Sequence, residues 1–249
     1  MTDDRGAVLR REAQALGELA ALHRDPVFYG RGAPRGDGRV VVVIPGLFGN
    51  DAYLQPLRSW LGRIGYSPAR STLSINAGCP DRLRTQIEQS LPRRVERQPG
   101  PIALIGHSRG GMLAWAIASR LQQQVSHLVL LGSPAPAVVA MMASGDSPSP
   151  STVARSSVAD AGARALRMMD PDCAVPNCGC PYTDDLRRPL DPGTQVLSIY
   201  SRDDPIVRPG ACRVGDGEHV ENVEIGGSHG GLAYNRAVYS HVARFLATT

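Results

Sequence analysis

The stretch Pro101-Ile-Ala-Leu-Ile-Gly-His-Ser-Arg-Gly-Gly111 decides the fold. An apolar run is followed at once by the spacing Gly-x-Ser-x-Gly, in which Ser108 stands between Gly106 and Gly110. Residues 109–122 then carry apolar side chains at helical spacing, so the pattern predicts a strand, a sharp turn and a helix. A serine at such a turn adopts a sparsely populated backbone conformation, and only residues without a bulky Cβ group fit two positions to either side. The pattern is typical of a nucleophile elbow, which indicates acyl-transfer chemistry.

Strand-like and helix-like segments alternate on both sides of this stretch. Strands are expected at 39–44, 67–73, 102–105, 127–132, 195–200 and 220–225, and helices near the N-terminus and at 53–64, 81–97, 109–122 and 235–246. The first strand is β-branched throughout, as in a strand covered on both faces. This alternation predicts an α/β fold with a mostly parallel central sheet flanked by helices, in a single domain spanning 1–249.

The alternation stops between residues 133 and 192. This stretch combines Ser/Gly/Pro-rich segments, the pairs Met141-Met142 and Met168-Met169, and three clustered cysteines. A connection of this length is too long for an ordinary loop, so we predict a cap or lid insertion over 134–192. The methionines either line an apolar substrate cleft or pack a small helical cap onto the body.

The composition excludes several classes of protein. No run of about 18 apolar residues exists, so no transmembrane segment is expected. The N-terminal stretch, with Leu9, Ala13, Leu16 and Ala20 on one helical face, lacks the apolar core of a secretory signal, and a cytoplasmic location is the expectation. The chain has a net charge of +4, but its arginines are dispersed among acidic residues, which argues against nucleic-acid binding.

A serine nucleophile needs a base that takes its proton and an acid that orients the base. In the architecture predicted here the three residues occur in the order serine, acid, histidine, each after a strand. Asp204 follows the strand at 195–200, and His229 lies in a glycine-rich loop after the strand at 220–225. We therefore predict Ser108, Asp204 and His229 as the catalytic residues, with Asp203 as the alternative acid.

The tetrahedral intermediate of acyl transfer carries an oxyanion that needs two backbone N–H donors. One comes from the residue after the nucleophile, here Arg109, and the other from the loop after an earlier strand. The loop Pro45-Gly-Leu-Phe-Gly49 follows the first strand. Leu47 is the predicted second donor, and Phe48 is the alternative.

These segments together resemble the lipase and esterase branch of the α/β-hydrolase family. The resemblance rests on residues 44–49, 106–111, 200–207 and 227–232, and it covers roughly 40–246 without much of the insertion. It implies an acyl-enzyme intermediate, no cofactor and a small acyl ester as substrate. The two strands with which family members usually begin are hard to find before Val40.

Three functions remain open. The first is a carboxylic ester hydrolase, the second a thioesterase or acyltransferase that uses the same triad, and the third a non-catalytic binding protein on a hydrolase scaffold, because fold alone does not establish function.

Five cysteines, at positions 79, 173, 178, 180 and 212, leave their own question. Without an export signal disulfides are disfavoured, although a pair that ties the insertion to the body remains possible. The spacing Cys-x4-Cys-x-Cys lacks the usual Cys-x2-Cys pair, so no metal site is predicted. Thiols buried as small apolar groups are the favoured interpretation, and the family resemblance suggests a structural role.

Overall fold

A single parallel sheet forms the centre of the molecule. The computed structural model describes residues 4–91, 100–143, 157–171, 173 and 180–248. Its strands are β1 (Val40–Ile44), β2 (Ser67–Arg70), β3 (Ile102–His107), β4 (Val125–Leu131), β5 (Gln195–Ser201) and β6 (Val220–Ile225). They form one sheet in the order β2-β1-β3-β4-β5-β6, and every neighbouring pair is parallel. The predicted α/β fold is confirmed, although β2 ends three residues before the predicted boundary of 73.

Helices precede, connect and follow these strands. They are α1 (Asp4–Arg24), α2 (Gln55–Arg63), α3 (Pro80–Ser90), α4 (Arg109–Leu121), α5 (Pro136–Ala143), α6 (Ser157–Met169), α7 (Tyr182–Arg187), α8 (Pro209–Cys212) and α9 (Arg236–Leu246). The predicted helix 81–97 corresponds to α3, and residues 92–99 lie outside the described part of the chain. No helix among the described residues is long and apolar enough to span a bilayer.

The central strands are buried on both faces, and their alternate residues enter two separate cores. Val41 and Val43 of β1 pack in the core that contains Trp60 of α2 and Tyr239 of α9. Val40, Val42 and Ile44 belong to the core built with α3 and α4. This explains why the sequence of β1 is apolar at every position, since a strand between two helical layers has no solvent-facing side.

The order of the strands places a crevice at the carboxyl-terminal ends of β1 and β3. The chain passes from β1 to β2 on one side and then returns to β3 on the other side of β1, so the connections diverge between β1 and β3. Ligands of open α/β sheets bind at such a switch point, beyond the carboxyl ends of the strands. Because the sheet is parallel, the loops after β1, β3, β5 and β6 all emerge on the side of the sheet where the strands end.

The predicted insertion 134–192 contains α5, α6 and α7, while residues 144–156, 172 and 174–179 lie outside the described part of the chain. The side chains of Met168 and Met169 are 84% and 56% exposed, and Met141 is 45% exposed. Met168 and Met169 are therefore mainly solvent-exposed, whereas Met141 is partly covered and the side chain of Met142 lies outside the described residues.

The N-terminal helix is present as predicted, but its Leu9–Leu16 face is not the packed one. Leu9 and Leu16 are largely exposed, whereas Val8 and Leu22 are buried. The described residues before β1 contain α1 and a short 3₁₀ helix, Pro26–Tyr29, and no strand. The absence of leading strands noted in the sequence therefore holds for the described residues 4–39.

Candidate active site

Ser108 stands at a strained turn between β3 and α4. Its backbone has φ 52° and ψ −125°, a conformation that side-chain-bearing residues rarely adopt. A Cβ atom on Gly106 would lie 2.3 Å from the Cα atom of Gly111, and one on Gly110 would lie 2.4 Å from the carbonyl oxygen of Ile44. Both glycines are therefore required by close backbone packing. The geometry is that of the elbow expected from the sequence.

Asp204 and His229 form a buried pair beside this turn. The Nδ1 atom of His229 lies 2.6 Å from Oδ2 of Asp204. The other carboxylate oxygen of Asp204 accepts hydrogen bonds from the amides of Ile206 and Val207, at 2.7 and 2.8 Å. Since an ionised carboxylate only accepts, Nδ1 of His229 carries the proton and Nε2 is left as the basic atom.

The neighbouring Asp203 does not make this contact. Its amide donates a hydrogen bond to the Ser201 hydroxyl oxygen, and its carbonyl oxygen accepts from Arg11. The Asp203 carboxylate points toward Gly226. Of the two candidate acids, the structure brings only Asp204 to the imidazole.

Ser108 and His229 line a common cavity of about 840 Å³. Its other walls come from the loop after β1, from Met112 of α4 and from Ala161 to Leu166 on α6, and they are predominantly apolar. Within the described residues the Ser108 hydroxyl makes no hydrogen bond, to Nε2 of His229 or to any other atom, and His229 is bonded through Nδ1 to Asp204. Hydrogen bonds of catalytic groups commonly tighten only when substrate binds.

Two residues that line this cavity have backbone amides without an acceptor among the described residues. Leu47 and Arg109 both line it, and neither N–H donates to an acceptor in the described part of the chain. The Phe48 amide, by contrast, donates to the carbonyl oxygen of Asn76 at 3.0 Å. The alternative donor of the sequence analysis is therefore engaged elsewhere, while the first choice, Leu47, is available.

Comparisons with known proteins agree with this architecture. The model of the thioesterase domain family matches residues 93–160. Among solved structures, the type II thioesterase BorB from the borrelidin biosynthetic cluster is 21% identical with a TM-score of 0.52, covering 87% of this chain and 95% of its own. The lipolytic enzymes LipS and LipT, from a metagenome, give 16% identity and a TM-score of 0.54, with 86% and 95% covered. This chain has the α/β-hydrolase fold.

A further structure with this fold, the metagenomic carboxyl esterase MGS0156, is 13% identical with a TM-score of 0.55, covering 86% of this chain and 77% of its own. No curated protein matches the chain. Identities in this range establish the shared fold and leave the reaction to be argued from the site.

Several residues of the candidate site were not predicted from the sequence. The Arg109 side chain, whose amide alone was singled out, donates from Nη1 to Oδ1 of Asn76 at 2.9 Å and from Nη2 to the carbonyl oxygen of Gly78 at 2.6 Å. The buried Asn76 donates in turn to the carbonyl oxygen of Pro45 at 2.7 Å. This network holds the loop after β1 against the start of α4, and with it the two candidate oxyanion donors.

The ring of His107 is uncharged and contacts the backbone of His229. Its Nε2 atom lies 2.9 Å from the carbonyl oxygen of His229, which can only accept, so Nε2 donates and Nδ1 accepts from the Tyr53 hydroxyl. Burial, followed by the nearby His229, lowers the pKa of His107 to about 3. The ring therefore stays uncharged near neutral pH. The sequence placed His107 beside Ser108, but only the structure shows its contact with His229.

Helix α1 binds the loop that carries His229. The Glu12 carboxylate accepts from the amides of His229 and Gly230 at 2.9 and 2.8 Å. The Glu18 carboxylate accepts from the amide and the hydroxyl of Ser228 at 3.2 and 2.9 Å. Burial raises the pKa of Glu18 even though these hydrogen bonds oppose the shift. Two acidic residues on an N-terminal helix thus position the histidine loop.

Proposed function

We propose that the protein is a serine hydrolase that cleaves carboxylic esters through an acyl-enzyme on Ser108. The observation that carries this proposal is the buried Asp204–His229 pair at 2.6 Å, which opens onto the same cavity as the elbow serine. In this assignment Ser108 is the nucleophile, His229 the base and Asp204 the residue that orients it.

In the first half of the reaction, Oγ of Ser108 attacks the carbonyl carbon of the ester while Nε2 of His229 takes the hydroxyl proton. The oxyanion that forms is stabilised by the amides of Leu47 and Arg109. When the carbon–oxygen bond to the alcohol breaks, His229 returns the proton to the leaving oxygen. In the second half, water loses a proton to His229, attacks the acyl-enzyme and releases the acid and the free serine.

The cavity supports an acyl group of moderate length and apolar character. Its volume of about 840 Å³ lies within the range of small-molecule sites, and the walls offer few polar atoms apart from the catalytic groups. Residues of α6 form one wall. We assign the segment 134–192 as the cap over this site on that basis.

Thioester hydrolysis is the second candidate, and one observation favours it. The match to the thioesterase domain family spans residues 93–160, which include the elbow but neither Asp204 nor His229. The same acyl-enzyme can release a thiol, and it can transfer the acyl group to an alcohol or amine instead of water. Matched esters and thioesters of one acyl chain, assayed with and without a competing alcohol, separate these reactions by their products.

The triad is tested with p-nitrophenyl esters and a matched pair of aspartate variants. We expect Ser108→Ala to lower kcat/KM by about 10⁴-fold, the scale of triad lesions. In Asp204→Asn the one remaining oxygen stays with the amides of Ile206 and Val207, so an NH₂ donor faces His229 in place of Oδ2. We expect this variant to cost about 10³-fold to 10⁴-fold, whereas Asp203→Asn should stay near wild type. Full activity of Ser108→Ala would reject the mechanism. A fluorophosphonate probe that fails to label the folded wild-type protein would favour a binding protein instead.

A further inference from the structure

Three cysteines from three separate segments meet next to Gly78, whose carbonyl oxygen accepts from the Arg109 side chain. Cys79 precedes α3, Cys173 follows α6, and Cys180 precedes α7. Their Sγ atoms all lie within 4.8 Å of one another. Tetrahedral zinc with bonds of about 2.3 Å to sulfur places its sulfur ligands about 3.8 Å apart, so only a small contraction separates this cluster from a metal site. A disulfide could join only two of the three cysteines.

The backbone around the cluster is already held in place. The Asp170 carboxylate accepts from the Cys79 amide at 2.8 Å and pairs with the Arg82 guanidinium. The Asp170 carbonyl oxygen accepts from the Cys173 amide at 3.1 Å. One buried aspartate therefore holds the segments of Cys79 and Cys173 together. Hydrogen-bonded supports of this kind are common around metal ligands.

Donor groups surround the sulfur of Cys79. The backbone amides of Arg82 and Asp81 and the side chains of Cys173 and Cys180 make hydrogen-bond contacts with it. Arg82 and Arg109 both interact electrostatically with Cys79. Thiolates are the form in which cysteine binds metals, and nearby arginines and amides stabilise them.

The buried hydroxyl of Tyr182 is a second observation, independent of the cysteines. This side chain is 2% exposed, and its hydroxyl has no hydrogen-bond partner among the described residues. Electrostatic contacts link it to Arg109 and Cys180. Buried hydroxyls are nearly always paired, so an unpaired one beside a thiol cluster indicates a missing acceptor. A negatively charged metal–thiolate centre would provide it.

We propose that Cys79, Cys173 and Cys180 form a zinc site that fastens the segment carrying α6 to the start of α3. Each thiol releases one proton as its sulfur binds Zn²⁺, so three bonds to sulfur form and three protons leave without any redox change. The fourth position of the tetrahedron is filled by water or a further donor. Thiolate ligands select zinc over magnesium or calcium.

The site would stabilise the cavity without entering the reaction. Cys79 follows Gly78, whose carbonyl oxygen accepts from the Arg109 side chain, and α6 forms a wall of the cavity. Zinc would therefore tie the segment that carries one wall of the cavity to the segment that holds the Arg109 side chain. The proposal does not depend on the ester hydrolase assignment, because its ligands are outside the catalytic groups.

The experiment measures zinc in the full-length protein, purified under reducing conditions and reconstituted with Zn²⁺ after chelation. We expect about one zinc per chain, and occupancy below about a tenth of this in Cys79→Ser, Cys173→Ser and Cys180→Ser. Cys212→Ala is the matched control, since Cys212 is a buried cysteine outside the cluster, and it should keep its zinc. Cobalt in place of zinc should give a sulfur-to-metal charge-transfer band that the three serine variants lose.

Two further measurements keep the proposal testable if a serine variant fails to fold. Cys180→His retains a zinc-binding side chain and should recover at least half of the wild-type zinc content. Intact mass after alkylation of the denatured, chelated wild-type protein should show every cysteine modified. A wild-type chain that binds no zinc with its thiols reduced would overturn the site, and so would a disulfide between any two of the cluster cysteines in the protein as purified.

Discussion

The contact between Glu12 and the histidine loop gives a prediction that separates positioning from mere stability. We expect Glu12→Gln to lower kcat with little change in KM. The carboxylate accepts from two amides, those of His229 and Gly230, at 2.9 and 2.8 Å. A glutamine has one acceptor oxygen, and its NH₂ group then faces an amide N–H. The variant therefore loses one of the two hydrogen bonds and sets two donors against each other.

The size of the effect follows from the bonds lost. A hydrogen bond to a charged group contributes about 1.5–3 kcal/mol. Glu12 is only half-buried, and the loop is also held by His107 through the carbonyl oxygen of His229, so we take the lower end of this range. If the displaced imidazole raises the activation free energy by about 1.4 kcal/mol, kcat falls about tenfold.

The assay compares Glu12→Gln with Gln14→Ala on one ester substrate, with urea unfolding of both variants in parallel. Gln14 lies on the same helix and is exposed, so its variant controls for changes to α1 that do not touch the loop. The rate of Gln14→Ala should match wild type. A Glu12→Gln enzyme that is less stable yet turns over at the wild-type rate would refute the positioning role.

Two other predictions concern the cavity and the response to acid. A Cβ atom at Gly162 would lie 3.1 Å from Cδ2 of Leu47, so the side chain of Gly162→Leu should fill part of the cavity. We expect this variant to lower the ratio of long-chain to short-chain ester hydrolysis by about tenfold or more. Arg164→Ala, at an exposed position on the same helix, should leave the ratio unchanged. Burial, followed by the neighbouring Arg39, lowers the pKa of His127 to about 4 from 6.5. As the pH falls, His127 is therefore protonated in the unfolded chain before it is protonated in the folded protein. Its contribution to the free energy of unfolding should be complete above pH 6.5 and should fall by about 1 kcal/mol per pH unit between pH 6.5 and pH 4. Urea titrations at pH 7 and pH 5 should show a smaller drop for His127→Gln than for wild type, and equal drops would contradict this.

The parallel sheet was predictable because its cause is local in the sequence. A run such as Val40–Ile44 is apolar at every position, and only a strand covered by helices on both faces suits that pattern. Once the strands are parallel, residues that directly follow them must gather at one edge. Ser108, Asp204 and His229 could be expected in one region before any contact between them was known.

The choice between Asp203 and Asp204 depended on a turn that the sequence only hints at. Oδ1 of Asp204 accepts from Ile206, two residues ahead, which is the contact of an Asx turn, and Pro205 favours such a turn. This turn directs the second oxygen at His229. The motif Asp-Pro-Ile was the available signal, whereas composition treats the two aspartates alike.

The packed face of α1 could not be predicted from its own sequence, for a different physical reason. Periodicity locates the apolar side of a helix and assumes that this side is buried. Here Leu9 and Leu16 remain exposed, while Glu12 and Glu18 turn inward because free amides at His229, Gly230 and Ser228 stabilise their carboxylates. Those amides lie more than 200 residues further along the chain, so no local pattern of α1 could have revealed them.

The same reasoning applies to the cysteines. The sequence argument against a metal rested on the spacing of the later cysteines, and it left out Cys79, which joins Cys173 and Cys180 only through the fold. Ligand spacing identifies a metal site when one short segment supplies a pair of ligands. When each ligand comes from a different segment, the information lies in the contacts that hold those segments together. Here the residue that makes these contacts is Asp170, whose carboxylate binds the amide of Cys79 and whose carbonyl oxygen binds the amide of Cys173. Asp170→Ala removes only the first contact and should therefore release Cys79 from the cluster before it disturbs Ser108.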